Sequence, residues 1–354
     1  MNHLAQIAAK LPEYDLDAML ITSEPGELYA LGFHGEGLVL VTREGTHYST
    51  DGRYIEAAQQ QVQGASICLA SREKGHLALA SEYIRTHNLE NVGFESGCMS
   101  VDTYHNYAEK LPCLLVPAQK LVDELRSAKD ADELDAMRQA QRITDETFTA
   151  ILDFLRPGLT EKEVAARLVY EMLRRGAEKV SFDPIVAAGP NGSKPHAIPG
   201  DRVIENGMFV TMDFGCIYGS YCSDMTRTVA VGQPTDEMVK VYNTVLESQL
   251  AGIAAAKAGI PGKEIDAAAR KVIEEAGYGK YFSHGFGHSL GLEIHESPNA
   301  NASENTIMPV GAVISAEPGI YLPGEYGVRI EDVLILNEDG CEIITASPKQ
   351  LIVL

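Results

Sequence analysis

An α/β domain followed by a larger α+β domain made of two related halves is the fold this sequence predicts. Three observations carry it. The chain has 354 residues, more than twice the ~150 of an ordinary domain. Its first third alternates short apolar runs with helix-length stretches. Beyond a charged segment at 123–133, the order helix, helix, strand-rich sequence occurs twice.

Residues 17–22 form a short apolar strand that ends at Glu24-Pro-Gly. Residues 37–42 and 46–50, joined at Glu44-Gly, read as a hairpin. Helices are expected over 53–63, 77–88 and 101–111, each followed by a strand, at 65–70, 91–95 and 113–116. The boundary falls in the charged segment, giving domains 1–124 and 125–354. The second opens with helices over 130–155 and 160–175, broken at Pro157-Gly. Strand-rich sequence runs from 180 to 231, further helices cover 236–258 and 262–276, and strands close the chain. At an offset of about 101 residues, Gly158 matches Gly259, Lys162 matches Lys263, Glu163 matches Glu264, Ala166 matches Ala267 and Gly176 matches Gly277. Such self-similarity marks an internal duplication.

Composition narrows the function. Hydrophobic residues make up 45% and charged residues 22%, which is globular and not disordered. Twenty-nine basic against 50 acidic side chains leave a net charge of −21. That charge repels phosphate backbones and anionic lipid, so neither nucleic acid nor a membrane surface is an expected partner. No run reaches the ~18 apolar residues of a transmembrane helix, and the N-terminus lacks the features of a secretory signal. Six scattered cysteines without a CxxC pair read as reduced core thiols of a cytoplasmic protein.

The chemistry concentrates in the second domain. Val210-Thr-Met-Asp-Phe-Gly-Cys-Ile-Tyr-Gly-Ser-Tyr-Cys-Ser-Asp-Met-Thr-Arg-Thr228 reads as two strands around a tight turn at Tyr218-Gly219. That turn sets Asp213 directly opposite Asp224, with Cβ atoms about 5 Å apart. Two like charges so placed call for a cation between them, or else form a carboxylate pair at a wet sheet edge. Of ten histidines only His196, His284, His288 and His295 follow His105. The last three lie in His284-Gly-Phe-Gly-His-Ser-Leu-Gly-Leu-Glu-Ile-His-Glu296, where imidazoles suit ligation or proton transfer. Ile314-Ser-Ala-Glu317-Pro-Gly ends an apolar strand on an acid. In Gly327-Val-Arg-Ile-Glu-Asp-Val-Leu-Ile-Leu336, strand periodicity places Arg329, Glu331 and Val333 on one face. There the arginine could pair with Glu331 or bind the anionic end of a substrate. Spacing alone does not single out a ligand set among fifty acids.

A resemblance does. The Asp213/Asp224 hairpin, His288 in Gly287-His-Ser-Leu-Gly-Leu, Glu317-Pro-Gly and Glu331 resemble the metallopeptidases of the pita-bread fold, the family of methionine aminopeptidase, aminopeptidase P and prolidase. The likeness runs through the second domain. Gly32-Phe and Thr50-Asp-Gly-Arg-Tyr54 make the first similar to the N-terminal domain of the creatinase and proline-specific branch. The resemblance therefore implies a creatinase-type α/β domain before a pita-bread catalytic domain with a pseudo-twofold duplication.

The resemblance also implies roles. Asp213, Asp224, His288, Glu317 and Glu331 would hold two divalent ions. Four carboxylates and one imidazole point to manganese, with cobalt, iron or zinc as alternatives, and such a pair can activate water and polarise a carbonyl. His196, in Lys194-Pro-His-Ala, and His295 would bond the reacting groups, and Glu317 would shuttle the proton. His284, Arg329 and Tyr321 would line the proline side. The implied activity is an Xaa-Pro dipeptidase acting on peptides with proline at the second position. An Xaa-Pro aminopeptidase for longer peptides is the alternative, followed by a methionyl aminopeptidase. A binding protein or a metal-free amidinohydrolase of this layout would lack the full ligand set. A homodimer is expected from the resemblance alone. Two departures, Phe286 and Ser289 within Gly285-Phe-Gly-His-Ser-Leu-Gly291, leave the ligands intact but could reshape the substrate pocket, and Ala197 follows His196 where the family often has glycine.

Overall fold

A computed structural model describes residues 2–354, and the chain divides into two compact units at Arg126/Ser127. The first unit contains, in order, α1 (Leu4–Lys10), β1 (Ala18–Ile21), α2 (Glu24–Leu31), β2 (Leu38–Thr42), β3 (Thr46–Thr50) and α3 (Ile55–Gln61). Then come β4 (Ser66–Leu69), α4 (His76–Thr86), β5 (Asn91–Phe94), α5 (Val101–Lys110), β6 (Leu114–Pro117) and α6 (Gln119–Ser127). One six-stranded sheet runs β4-β3-β2-β1-β5-β6. The hairpin of β2 and β3 is antiparallel, as expected, whereas β4, β5 and β6 pair in parallel. Central strands such as Ala18–Ile21 are buried along their whole length, which is why they read as unbroken apolar runs.

Glu24-Pro-Gly does not form a turn after β1. It begins α2, with the Ser23 side chain accepting from Gly26 N and Pro25 in the first turn. A proline there gives up an N–H that has no helical partner in any case. Gly32 then ends the helix at φ +66°.

The second unit opens with α7 (Ala131–Phe154) and α8 (Glu161–Arg174), followed by β7 (Lys179–Val180), β8 (Ile185–Ala188), β9 (Met208–Phe214), β10 (Cys216–Tyr218), β11 (Tyr221–Cys222) and β12 (Met225–Val231). Two more helices follow, α9 (Asp236–Ala255) and α10 (Gly262–Glu275). The chain ends with β13 (Gly287–Ser289), β14 (Glu296–Ala300), β15 (Val313–Ala316), β16 (Gly319–Leu322), β17 (Tyr326–Arg329), β18 (Asp332–Leu336) and β19 (Cys341–Ile343). Capping boxes at Asp130/Glu133 and Thr160/Glu163 start α7 and α8.

The duplication is structural. Helices α8 and α10 match end to end at the offset seen in the sequence. Gly158 and Gly259 sit at φ +94° and +83°, and Gly176 and Gly277 at +98° and +86°. The backbone bonds repeat too: Ala177 N to Met172 O and Tyr278 N to Ile273 O close the two helices alike. Gly176 and Gly277 leave α8 and α10 through the left-handed region, and Gly158 and Gly259 adopt it in the loops that lead into those helices.

Two register expectations are corrected. The turn after β10 is Gly219-Ser220, both at positive φ, so Tyr218 pairs with Tyr221 and Asp213 with Thr226, not Asp224. Glu178 decides this, because its carboxylate accepts the N–H of Gly219 at 2.7 Å and of Ser220 at 3.3 Å. Residues 327–336 are not one strand either. The chain breaks at Ile330-Glu331, and β17 and β18 join different sheets, β16-β17 and β14-β13-β15-β18-β19. No disulfide forms among the described cysteines, but only Cys216 and Cys222 are buried and Cys98 is exposed, so the description as core thiols holds for two. Among the described residues no helix is long and apolar enough to cross a membrane.

Candidate metal centre and substrate cleft

A cavity of about 660 Å³ in the second unit brings together Asp213, Asp224, His288, Glu317 and Glu331, with His196, His284, His295 and Arg329 also on its walls. Tyr321 lies behind it, buried. The acids come from strand ends and breaks: Asp213 near the end of β9, Asp224 just before β12, Glu317 just after β15, and Glu331 between β17 and β18. A strand end fixes the backbone while leaving the side chain free of cross-strand packing. Asp224 and Thr226 lie two residues apart and so share a face. Asp213 is thus diagonal to Asp224 across the hairpin.

His288 Nδ1 donates to Ser289 O at 3.1 Å. Its other nitrogen, Nε2, therefore turns a lone pair toward Asp224 Oδ2 at 3.6 Å and Glu317 Oε1 at 3.4 Å. Ser315 Oγ donates to Glu317 Oε1 at 3.0 Å and accepts from His288 N. Thr226 Oγ1 donates to Glu331 Oε2 at 2.6 Å and accepts from Arg329 Nε at 3.0 Å. Arg329 also donates through Nη2 to Asp213 Oδ2 at 2.6 Å and through Nη1 to the Tyr321 hydroxyl at 2.9 Å. That hydroxyl in turn donates to His284 Nε2 at 2.8 Å, because His284 Nδ1 donates to Gly285 O. One guanidinium thus holds Asp213 directly and Glu331 through Thr226.

Burial, then the charges of Glu331, Asp213 and Glu317, hold Asp224 well above the usual carboxylate range. Burial, then Glu317 and Asp213, does the same to Glu331. Burial also raises Glu317, against the pull of His284 and Arg329. Burial pushes His288 downward, so the imidazole is neutral and able to ligate. Asp213 Oδ1 and Asp224 Oδ1 are buried without a hydrogen-bond partner among the described residues. Asp224, His288 and Glu331 offer ligand atoms within 4.8 Å of one another. Unpartnered acceptors, mutually raised carboxylates and an inward lone pair all fit divalent cations.

Phe286 and Ser289 do not line the cavity. Phe286 is fully buried in the core beside Ala256 and Ile314, and Ser289 Oγ donates to Pro298 O. Neither side chain therefore touches the cavity wall directly. Sequence reasoning missed Thr226 and Glu161. Thr226 could have been found from its two-residue spacing to Asp224. Glu161 gave no signal beyond an ordinary acid in a first helical turn, yet it is buried and accepts from Ala188 N, Asn191 Nδ2 and Gly200 N at 2.8–3.1 Å. It thereby ties down the segment carrying His196. Glu161→Ala is expected to lower unfolding free energy by roughly 1–3 kcal/mol for a buried donor left unpaired and to lower kcat. Urea unfolding with an unchanged m-value, alongside a kcat measurement, checks both.

A divalent-metal hydrolase is the class of protein that this fold and centre define. The chain belongs to metallopeptidase family M24, matched over residues 135–338, and its residues 3–128 match the creatinase/prolidase N-terminal domain. It is therefore a metallo-exopeptidase with a divalent-metal centre. It is 35% identical over 344 residues to an Xaa-Pro dipeptidase of Pyrococcus horikoshii, covering 95% of each chain. Among solved structures it is similar to an Xaa-Pro dipeptidase from Bacillus anthracis, with a TM-score of 0.96, 40% identity and 99% of each chain covered. It is also similar to an X-Pro aminopeptidase from Thermotoga maritima, with a TM-score of 0.92, 33% identity and coverage of 98% and 100%.

Proposed function

We propose that this protein is a two-metal exopeptidase that hydrolyses the bond between an N-terminal residue and a following proline, with Xaa-Pro dipeptides as its first substrate class. The observation that carries this reading is the convergence of four carboxylates and one neutral imidazole, with two buried carboxylate oxygens unpartnered. Asp213, Asp224, His288, Glu317 and Glu331 would hold the ions, manganese first, with cobalt, iron or zinc also suited to such donors. Bound there, the ions supply Lewis-acid activation of water and of the scissile carbonyl.

The remaining steps belong to the chain. Glu317 takes a proton from the attacking water and returns it to the leaving proline nitrogen. His196 and His295, both exposed to the cleft, donate hydrogen bonds to the oxygen on which charge develops. The His295 ring packs edge-on to His288, centroids 4.4 Å apart, which sets its orientation. His284 faces the proline side, backed by Tyr321 and Arg329.

Chelator-treated protein is expected to lose hydrolysis of an Xaa-Pro dipeptide and to regain it with manganese or cobalt. Metal-independent cleavage, or restored cleavage of methionyl peptides alone, would overturn this reading. The names of the dipeptidase relatives support dipeptides, and that of the Thermotoga maritima structure supports longer peptides as the second reading. A homodimer, supported by the family resemblance, is checked by sedimentation. A cytoplasmic location is supported by six cysteines that form no disulfide among the described residues.

A further inference from the structure

A hydrogen-bond donor that meets charge developing on a reacting oxygen works only when it is aimed in advance. His295 has little to aim it. Its side chain is exposed to the cleft and makes no hydrogen bond among the described residues. Apart from the edge contact with His288, its direction is set by its backbone. That backbone belongs to residues 291–295, the connection between β13 and β14, which has no regular secondary structure. Such a segment holds a side chain only as firmly as its own anchors are held.

The anchor is a buried ion pair. Lys129 Nζ donates to Glu296 Oε2 at 3.0 Å, and the two side chains are 1% and 5% exposed. Glu296 Oε1 accepts from Glu293 N at 3.1 Å, so the same carboxylate closes the loop that carries His295. Gly291 leaves room for it, since a Cβ there would lie 2.7–2.9 Å from the carboxylate. Gly291 O in turn accepts from Cys222 N at 2.7 Å, and Lys129 N donates to Gly311 O at 3.0 Å. A buried ion pair is a poor device for stability alone. Two charges taken out of water cost about what their attraction returns, and apolar side chains of similar volume hold a fold as well. What the pair adds is direction, because a charged donor with one charged acceptor fixes one geometry.

We infer that Lys129 is a positioning residue for the reaction: through Glu296 it fixes the loop that aims His295 at the reacting oxygen. Neither Lys129 nor Glu296 touches the cavity, so both act through the histidine. This rests on the role given to His295 above and names the residues that enforce it.

The test replaces the ion pair by apolar side chains, Lys129→Met with Glu296→Leu, in the full chain, because deleting one partner alone strands a buried charge and unfolds the protein for an unrelated reason. The double variant is expected to melt no lower than wild type and to bind manganese unchanged. Its kcat for an Xaa-Pro dipeptide is expected to fall about tenfold or more, with KM within about twofold, as when a donor is moved from the charge it meets. Added to His295→Ala, the same pair is expected to lower kcat no further, since the histidine it aims is gone. In metal-free protein the His295 imidazole NMR signal, assigned by its absence from His295→Ala, is expected to shift toward that of free histidine. Wild-type kcat, a lower melting temperature, losses that multiply with His295→Ala, or an unmoved signal would each overturn the inference and leave the metal-centre reading standing. His295→Ala at wild-type turnover would remove the role of the histidine itself, and this inference with it.

Discussion

Glu331→Gln is expected to reduce peptide hydrolysis on the order of a thousandfold or more, the scale of several kcal/mol of transition-state stabilisation. The side chain is 1% exposed and accepts from Thr226 Oγ1. The amide keeps the volume and removes the charge the ions require. Metal-free Glu331→Gln is expected to melt no lower than metal-free wild type, because one of several mutually repelling buried carboxylates has been neutralised. Asp213→Asn should lose activity equally but melt lower, since Arg329 Nη2 bonds Asp213 Oδ2 at 2.6 Å and would keep a buried charge without its counter-ion. Turnover assays, metal analysis and scanning calorimetry on the two variants check both signs. Wild-type turnover in either would remove it from the metal centre.

Arg329→Met is expected to cost about 3–5 kcal/mol of stability, as when one partner of a buried ion pair is deleted, and to lower kcat on the order of a hundredfold. Asp213, Thr226 and Tyr321 would each lose a donor. Because Arg329 acts through the centre's carboxylates, metal affinity should fall while KM changes little. A residue that held substrate directly would raise KM and leave metal affinity intact. Arg329→Lys is not expected to rescue, since one ammonium cannot reach three acceptors that a planar guanidinium spans. Metal-binding isotherms beside a full kcat and KM determination separate the two outcomes.

Much of this was legible in the residues. The alternation of apolar runs with helix-length segments located most elements of the first unit. Gly158, Gly176, Gly259 and Gly277 revealed the duplication because a backbone position at positive φ leaves glycine as its trace. The five candidate ligands were recognisable as an ordered set, and the cavity gathers all five. The helix starting at Glu24-Pro-Gly was not foreseen, because proline there was read only as the end of the strand although it also suits a first helical turn. Phe286 lies in the same glycine-rich segment as His288, and nearness in sequence did not tell which of the two faces the cavity and which the core. Here β13 starts at Gly287 and carries a register shift.

By itself, then, the sequence determined the two-unit α/β and α+β plan, the repeated half and the identity of the chemical groups. These depend on periodicity, capping and backbone freedom, which act within a few residues. Tertiary structure alone decided how those groups meet. Glu178 selected the turn at Gly219-Ser220 and with it the hairpin register. The strands part at Ile330-Glu331, so Arg329 and Glu331 reach the same cavity without being neighbours in one regular strand. The guanidinium of Arg329 found Asp213, more than a hundred residues away, instead of the acid beside it. A hydrogen bond between distant segments depends on how whole sheets pack, and no local pattern of side chains encodes that.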